Sequence, residues 1–260
     1  MLSKNKAKER LQRGEIVLGC MALIPDPAIA EILGMAGFDY LMMDAEHGAY
    51  DARLMENMVR ACEVVGVTPM ARLPLNDPQA LEPFLDTGLM GVTVPHCRTA
   101  ADVARLVDGS KYPPIGRRGV GPGRVGRYGS VPTGDLVRHL NEQMMVLPLV
   151  EDVDGIRNLP EMLTIPGVDG YLLGPNDLAS SMGYPGNMGH PDVQEAIANA
   201  IRLVRDAGLC INMTPKTTDP DDARRYIDMG ANIIIFGEVP LLRQASAAAV
   251  KEFRAAFGGA

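Results

Sequence analysis

The sequence predicts a parallel α/β protein, a (β/α)8 TIM barrel in one domain over residues 1–260. Eight short apolar runs alternate with longer segments of helical pattern. The runs are near-continuously apolar rather than alternating, as parallel strands covered on both faces are. The chain length of 260 residues is that of a single barrel, roughly 250 residues. A doubly wound open sheet is the runner-up, because one misplaced strand changes the count.

The elements follow in order. A charged start, Met1 to Arg10, has no apolar core behind it and is not a secretory signal. Ile16–Ala22 is the first candidate strand. Asp26-Pro27 places a capping acid before a proline suited to a first helical turn. Tyr40–Met43 is the second strand, Gly66 stops the helix after it, and Thr68–Leu73 is the third. Asp77-Pro78 opens the next helix and Gly88 ends it before Gly91–Pro95. A helix near Ala100–Val107 leads into a long connection at about 109–144. Its stretch from Lys111 to Gly129 is basic and glycine-rich. A structureless loop of that length is functional or disordered, able to offer backbone N–H and guanidinium groups to an anion or to contact another subunit. Its G-x-G lacks a strand–turn–helix setting, so no dinucleotide site is expected. Met145–Val150 and Gly170–Leu173 are the fifth and sixth strands. His190-Pro191 opens a helix running to Gly208, before Leu209–Met213. Asp219-Pro220 opens another, stopped at Gly230, before Ile233–Phe236.

Composition excludes several classes. A net charge of -7 argues against a nucleic-acid surface. Four scattered cysteines form no C-x-x-C pair and point to a reducing compartment. No stretch approaches the ~20 apolar residues of a membrane span. A cytoplasmic enzyme is the expectation.

In a barrel the carboxyl ends of the strands share one mouth, where ligands bind. There the sequence places Asp44, Glu46 and His47 after strand two, Arg72 at the end of strand three, His96 after strand four and Glu151 after strand five. Asp177 follows strand six beyond Gly174-Pro175-Asn176. Acids directly after buried strands are costly without a task. Glu151 and Asp177, with no Cys or His ligand beside them, are a hard-cation, oxygen-donor pair. They leave about four of six octahedral positions free, of which a 2-oxo acid can fill two. Arg72 suits the stabilisation of an enolate, or a salt bridge to Glu151. His47 suits proton transfer near neutrality, with Asp44 placed to orient its ring. Either acid alone also suits a helix N-cap. His96, His139 and His190 are read as structural or surface residues, and no lysine stands at a strand end to form an imine.

These pieces resemble the HpcH/HpaI aldolase family, the metal-dependent class II pyruvate aldolases of the citrate lyase superfamily. The matching segments are Asp44-Ala45-Glu46-His47, Arg72-Leu73-Pro74-Leu75-Asn76-Asp77, Tyr112-Pro113-Pro114 with Arg118-Gly119-Val120-Gly121, Val150-Glu151 and Gly174-Pro175-Asn176-Asp177-Leu178. The resemblance implies reversible cleavage of a 4-hydroxy-2-oxo acid to pyruvate and an aldehyde through a metal-bound pyruvate enolate. It implies Mg²⁺, Mn²⁺ or Co²⁺ on Glu151 and Asp177, His47 as base, and Arg72 as enolate stabiliser. Substrate contacts fall on Arg72, Gly174, Pro175, Asn176 and Asp177. The acid that supports the histidine falls on Asp86, which precedes strand four and would act from a neighbouring subunit; Asp44 is the local alternative. The implied assembly is a homohexamer, a trimer of dimers with an exchanged C-terminal helix. Leu149 departs from the family's usual glutamine and Leu75 from its tryptophan. A citrate-synthase-like or lyase reaction of oxaloacetate with acetyl-CoA is the alternative, and a non-catalytic keto-acid-binding barrel is the alternative outside enzymes.

Overall fold

A computed structural model describes residues 2–258. Nine strands form one sheet: β1 (Val17–Ala22), β2 (Tyr40–Asp44), β3 (Thr68–Arg72), β4 (Gly91–Thr93), β5 (Met145–Val146), β6 (Leu149–Val150), β7 (Gly170–Leu173), β8 (Cys210–Met213) and β9 (Ile233–Gly237). Every pairing is parallel, in the order β5-β4-β3-β2-β1-β9-β8-β7-β6. The sheet curls, and its two outermost strands are separated in the chain only by Leu147 and Pro148. The count of nine rather than eight has a local cause. Pro148 has no N–H, so it cannot donate to a ladder and splits the run Met145–Val150. The N–H groups of Leu147 and Leu149 bond to Val92 and Val94 at the β4 side, while the Pro148 carbonyl accepts from Leu172 of β7.

Eleven α-helices occur among the described residues: α1 (Lys6–Gln12), α2 (Pro27–Ala36), α3 (Ala52–Val65), α4 (Pro78–Leu85), α5 (Ala100–Ser110), α6 (Thr133–Gln143), α7 (Val153–Met162), α8 (Pro175–Ser181), α9 (Pro191–Asp206), α10 (Pro220–Met229) and α11 (Glu238–Phe257). Asp26, Asp77 and Asp219 cap α2, α4 and α10 through their side chains, satisfying N–H groups that a first turn leaves open. Gly66 and Gly230 end α3 and α10 in the left-handed conformation.

Side-chain parity divides the core in two. Met43, Ala45, Ala71, Leu73, Val92 and Val94 face outward to the helices. Tyr40, Met42, Met70, Leu147, Leu149, Leu172 and Ile235 face inward, packed with Ala7 of α1. The α1 segment closes the amino-terminal end of the sheet. The Asn5 side chain donates to the carbonyls of Met90 and Gln143, and the Ala7 N–H donates to Thr68 Oγ1 at the start of β3.

The connection at 109–144 is not a structureless loop. It holds a 3-10 helix (Arg124–Gly129) and α6. α6 buries only Leu136, so its apolar signal is faint in sequence. Arg117, Arg118 and Arg124 pair with Asp108, Asp86 and Glu63, so these guanidinium groups already have carboxylate partners. In α11, a helix of 20 residues, only Glu238 is buried, while Leu242, Val250, Phe253 and Phe257 are exposed. No described helix is long and apolar enough to cross a membrane.

Candidate active site

Asp44, Arg72 and Thr93 sit opposite one another in register at the carboxyl ends of β2, β3 and β4. Their sequence neighbours face outward, so these three face inward. Asp44, 1% exposed, grips Arg72 with both oxygens: Nε donates to Oδ1 at 2.9 Å and Nη2 to Oδ2 at 2.6 Å. This two-point pairing fixes the plane of the guanidinium. Burial opposes its charge, but the bond to Asp44 and the charges of Asp44, Glu46 and Glu151 outweigh burial and keep it protonated. Nη1 lies 3.1 Å from Glu46 Oε2, yet that oxygen is buried without a hydrogen bond. The contact is therefore off-line, and Nη1 retains donor capacity. Arg72 pairs with Asp44 and Glu46 rather than bridging to Glu151.

Glu151 follows β6 and is 4% exposed. It caps no helix; Asp152 caps α7. Burial pushes its carboxyl above the usual range, the charges of Asp177 and Glu46 push the same way, and the His96 N–H works against them. Gly174 lies directly across: a Cβ there would stand 2.7 Å from Glu151 Cβ and 3.0 Å from Oε2. Only glycine lets β7 approach this carboxylate. Asp177 does not cap a helix either. It stands exposed in the first turn of the short α8, whose N-cap is Gly174. Pro175 is buried and Asn176 exposed beside it.

His47 leads out of the mouth with its ring 64% exposed and 3.9 Å from Glu46. Asp44 reaches His47 through the backbone N–H, at 3.4 Å, and not through the ring; its carboxylate is committed to Arg72. Asp86 caps the end of α4, before β4, where Arg118 Nη2 donates to it at 2.8 Å. Leu149 is 2% exposed and belongs to the inner core, an apolar wall beneath Gly174 and Glu151.

Two residues do more at the site than the sequence reading gave them. His96 is exposed, as expected, yet it touches the site: its backbone N–H donates to Glu151 Oε1 at 2.9 Å, and its ring Nδ1 lies 3.0 Å from the same oxygen. Its position after a strand was the available signal. Glu238, 4% exposed, begins α11 and accepts from the N–H groups of Leu23 and Ile24 at 2.8 and 2.6 Å, fastening the loop after β1. Burial pushes its carboxyl up as well. Glu238 is the first residue after β9, and its partners, Leu23 and Ile24, lie more than 200 residues away in the chain.

A sequence profile of the HpcH/HpaI aldolase/citrate lyase family matches residues 19–239. The chain belongs to this family. It is 37% identical over 238 residues to the hydroxypyruvate/pyruvate aldolase of Pseudomonas aeruginosa, covering 91% of this chain and 87% of that protein. It is 34% identical over 235 residues to the 5-keto-4-deoxy-D-glucarate aldolase of Salmonella arizonae, covering 90% of each. A family protein of solved structure from Burkholderia cenocepacia superposes with a TM-score of 0.90 at 30% identity, covering 96% of this chain and all of the other. The chain is thus an enzyme of an aldolase family, a carbon–carbon lyase.

Proposed function

We propose that this enzyme is a class II pyruvate aldolase that reversibly cleaves a 4-hydroxy-2-oxo acid to a 2-oxo acid of the pyruvate type and an aldehyde. The observation that carries this is Arg72, held flat by Asp44 with Nη1 unspent, beside the buried Glu151. A fixed guanidinium aimed at developing negative charge is how an enolate is stabilised. Glu151 and Asp177 suit a divalent cation of the Mg²⁺, Mn²⁺ or Co²⁺ type. Both are oxygen donors, Glu151 is short of compensation for its burial, and the side-chain-free Gly174 leaves Oε2 approachable. No cluster of three or more Asp, Glu, His or Cys suited to a metal occurs among the described residues, so a two-carboxylate site stays open to substrate. Such a cation, when bound, would polarise the C2 carbonyl of the 2-oxo acid.

In cleavage, the C3–C4 bond breaks and its electron pair becomes the enolate, whose oxygen Arg72 Nη1 meets. The C4 hydroxyl becomes the aldehyde carbonyl, and His47 takes its proton directly or through one water. A proton then returns to C3 to give the methyl group of pyruvate. Gly174 and Pro175, with Asn176 and Asp177, form the rim for the substrate carboxylate. Asp86, fixed by Arg118, would support His47 of a neighbouring copy. The same reading counts β5 and β6 as one strand that closes an eight-stranded barrel. It places the enzyme in the cytoplasm, as a homohexamer that exchanges α11.

The test is pyruvate release from 4-hydroxy-2-oxo acids, with hydroxypyruvate and pyruvate as donors in the synthetic direction, with and without chelator. Glu151→Ala and Asp177→Ala are expected to lose cation-dependent turnover; full activity in either after chelation removes the carboxylate pair from the reaction. Thiol release from acetyl-CoA with oxaloacetate, without aldol activity, would assign the acyl-transfer reaction instead. Binding of pyruvate without methyl-proton exchange in D₂O would leave only a keto-acid-binding protein.

A further inference from the structure

His96 follows Pro95 just beyond β4 and adopts φ +57°. That left-handed conformation is unfavourable for a residue with a side chain and persists where surrounding contacts enforce it. Here both enforcing contacts converge on one atom. The backbone N–H donates to Glu151 Oε1 at 2.9 Å, and ring Nδ1 lies 3.0 Å from the same oxygen. The ring contact is attractive when Nδ1 carries a proton. The ring is 59% exposed while the Glu151 side chain is 4% exposed. His96 therefore bends back over the mouth and reaches down to a buried carboxylate. Meanwhile Gly174 faces the other oxygen, Oε2, with no side chain of its own.

We infer that His96 is a positioning residue for the cation site. It holds Glu151 by Oε1, through a backbone hydrogen bond with the ring set against the same oxygen, and leaves Oε2 for the cation. This rests on the reading of Glu151 as a cation ligand proposed above. An unheld carboxylate must lose rotamer freedom when it binds; one already fixed does not, and partners of metal ligands contribute about 10–100-fold in metal affinity for that reason. A purely structural strap between the β4–α5 turn and β6 would cost stability when cut but leave cation affinity unchanged.

The two contacts separate by substitution. His96→Gly relaxes the backbone at φ +57° and keeps the N–H while removing the ring. His96→Asn tolerates the left-handed conformation and offers an amide N–H to Glu151. Mn²⁺ affinity is measured by electron paramagnetic resonance of free Mn²⁺ on the full chain, with thermal melting in parallel. The expected result is Mn²⁺ binding weakened about tenfold or more in His96→Gly, with His96→Asn restoring most of it. A folded His96→Gly that binds Mn²⁺ as tightly as wild type overturns the inference, as does a drop in melting temperature with unchanged Mn²⁺ affinity. If wild type itself binds no Mn²⁺, both the cation site and the role of His96 fall. If wild type binds Mn²⁺ tightly and His96→Gly weakens it but no aldol turnover is found, the role of His96 stands and the reaction assignment fails.

Discussion

At the scale of single residues, the site is a set of charges that need one another. Asp44 and Arg72 are both nearly withdrawn from water, so neither is tolerable alone. Removing one partner of a buried pair leaves an uncompensated charge and costs about 3–5 kcal/mol. Asp44→Ala is therefore expected to destabilise the fold by an amount of that order, read by urea denaturation, and to abolish turnover. Arg72→Lys keeps the charge but loses the planar fork, so it should retain most stability while turnover drops about 100-fold or more. A lysine variant with wild-type turnover would show that the fixed guanidinium is not needed. Asp44, Arg72 and Glu151 were legible in the sequence because each ends an apolar run, where a charge stands out. His96 was not, because its role depends on a left-handed backbone that no residue pattern announces after Pro95. The Asp44 partner was also misplaced: spacing put it near His47, but register across β2 and β3 gives it to Arg72.

At the scale of elements, the strands were readable from their apolar runs and the helix starts from their Asp-Pro pairs, all three of which cap as expected. Where the reading failed, the signal was weak or double. α6 shows few apolar residues because it covers little, and Pro148 turned one strand into two. The close approach of the turn after β7 to Glu151 depends on Gly174, which has no side chain. Gly174→Ala would drive a methyl into the Glu151 side chain. Overpacking of this kind costs about 1–3 kcal/mol, and the carboxylate must swing away. The variant is expected to fold, melt earlier and need more divalent cation for half-maximal turnover. An unchanged cation requirement would mean that Glu151 is not a ligand.

At the scale of the whole molecule, the two ends of the sheet do different work. The amino-terminal end is sealed by α1 and by a buried ionic cluster. Lys8 Nζ lies 2.7 Å from Asp169, and Lys111, 3% exposed, donates to the carbonyls of Asn141 and Met144. Burial pulls the Lys111 amine down to about 8, against the attraction of Asp169 and with the repulsion of Lys8. In the unfolded chain it titrates near 10.4. Between those values the unfolded chain holds a proton that the folded one has released, so this group makes stability rise with pH there. Below about 8 both states hold the proton and the slope vanishes. The stability of wild type minus that of Lys111→Met is expected to grow as pH rises through this window; a flat difference would return Lys111 to an ordinary amine. The outer surface carries the other asymmetry, the bare apolar side of α11. If that helix packs in a neighbouring copy, Phe253→Ser with Phe257→Ser should shift the assembly to smaller species in sedimentation velocity while the barrel stays folded. An unchanged assembly would place the interface elsewhere.

The pairing of β1 with β9, five residue pairs from Val17↔Ile233 to Met21↔Gly237, also bears on synthesis. On the ribosome β1 emerges more than 200 residues before its second neighbour. Until Gly237 clears the exit tunnel, β1 presents an open row of N–H and C=O groups, the kind of edge that pairs with other chains. Contacts this distant along the chain also form slowly. The growing polypeptide thus carries an open edge until β9 is made, and a stop just before Ile233 would leave β1 permanently without that partner.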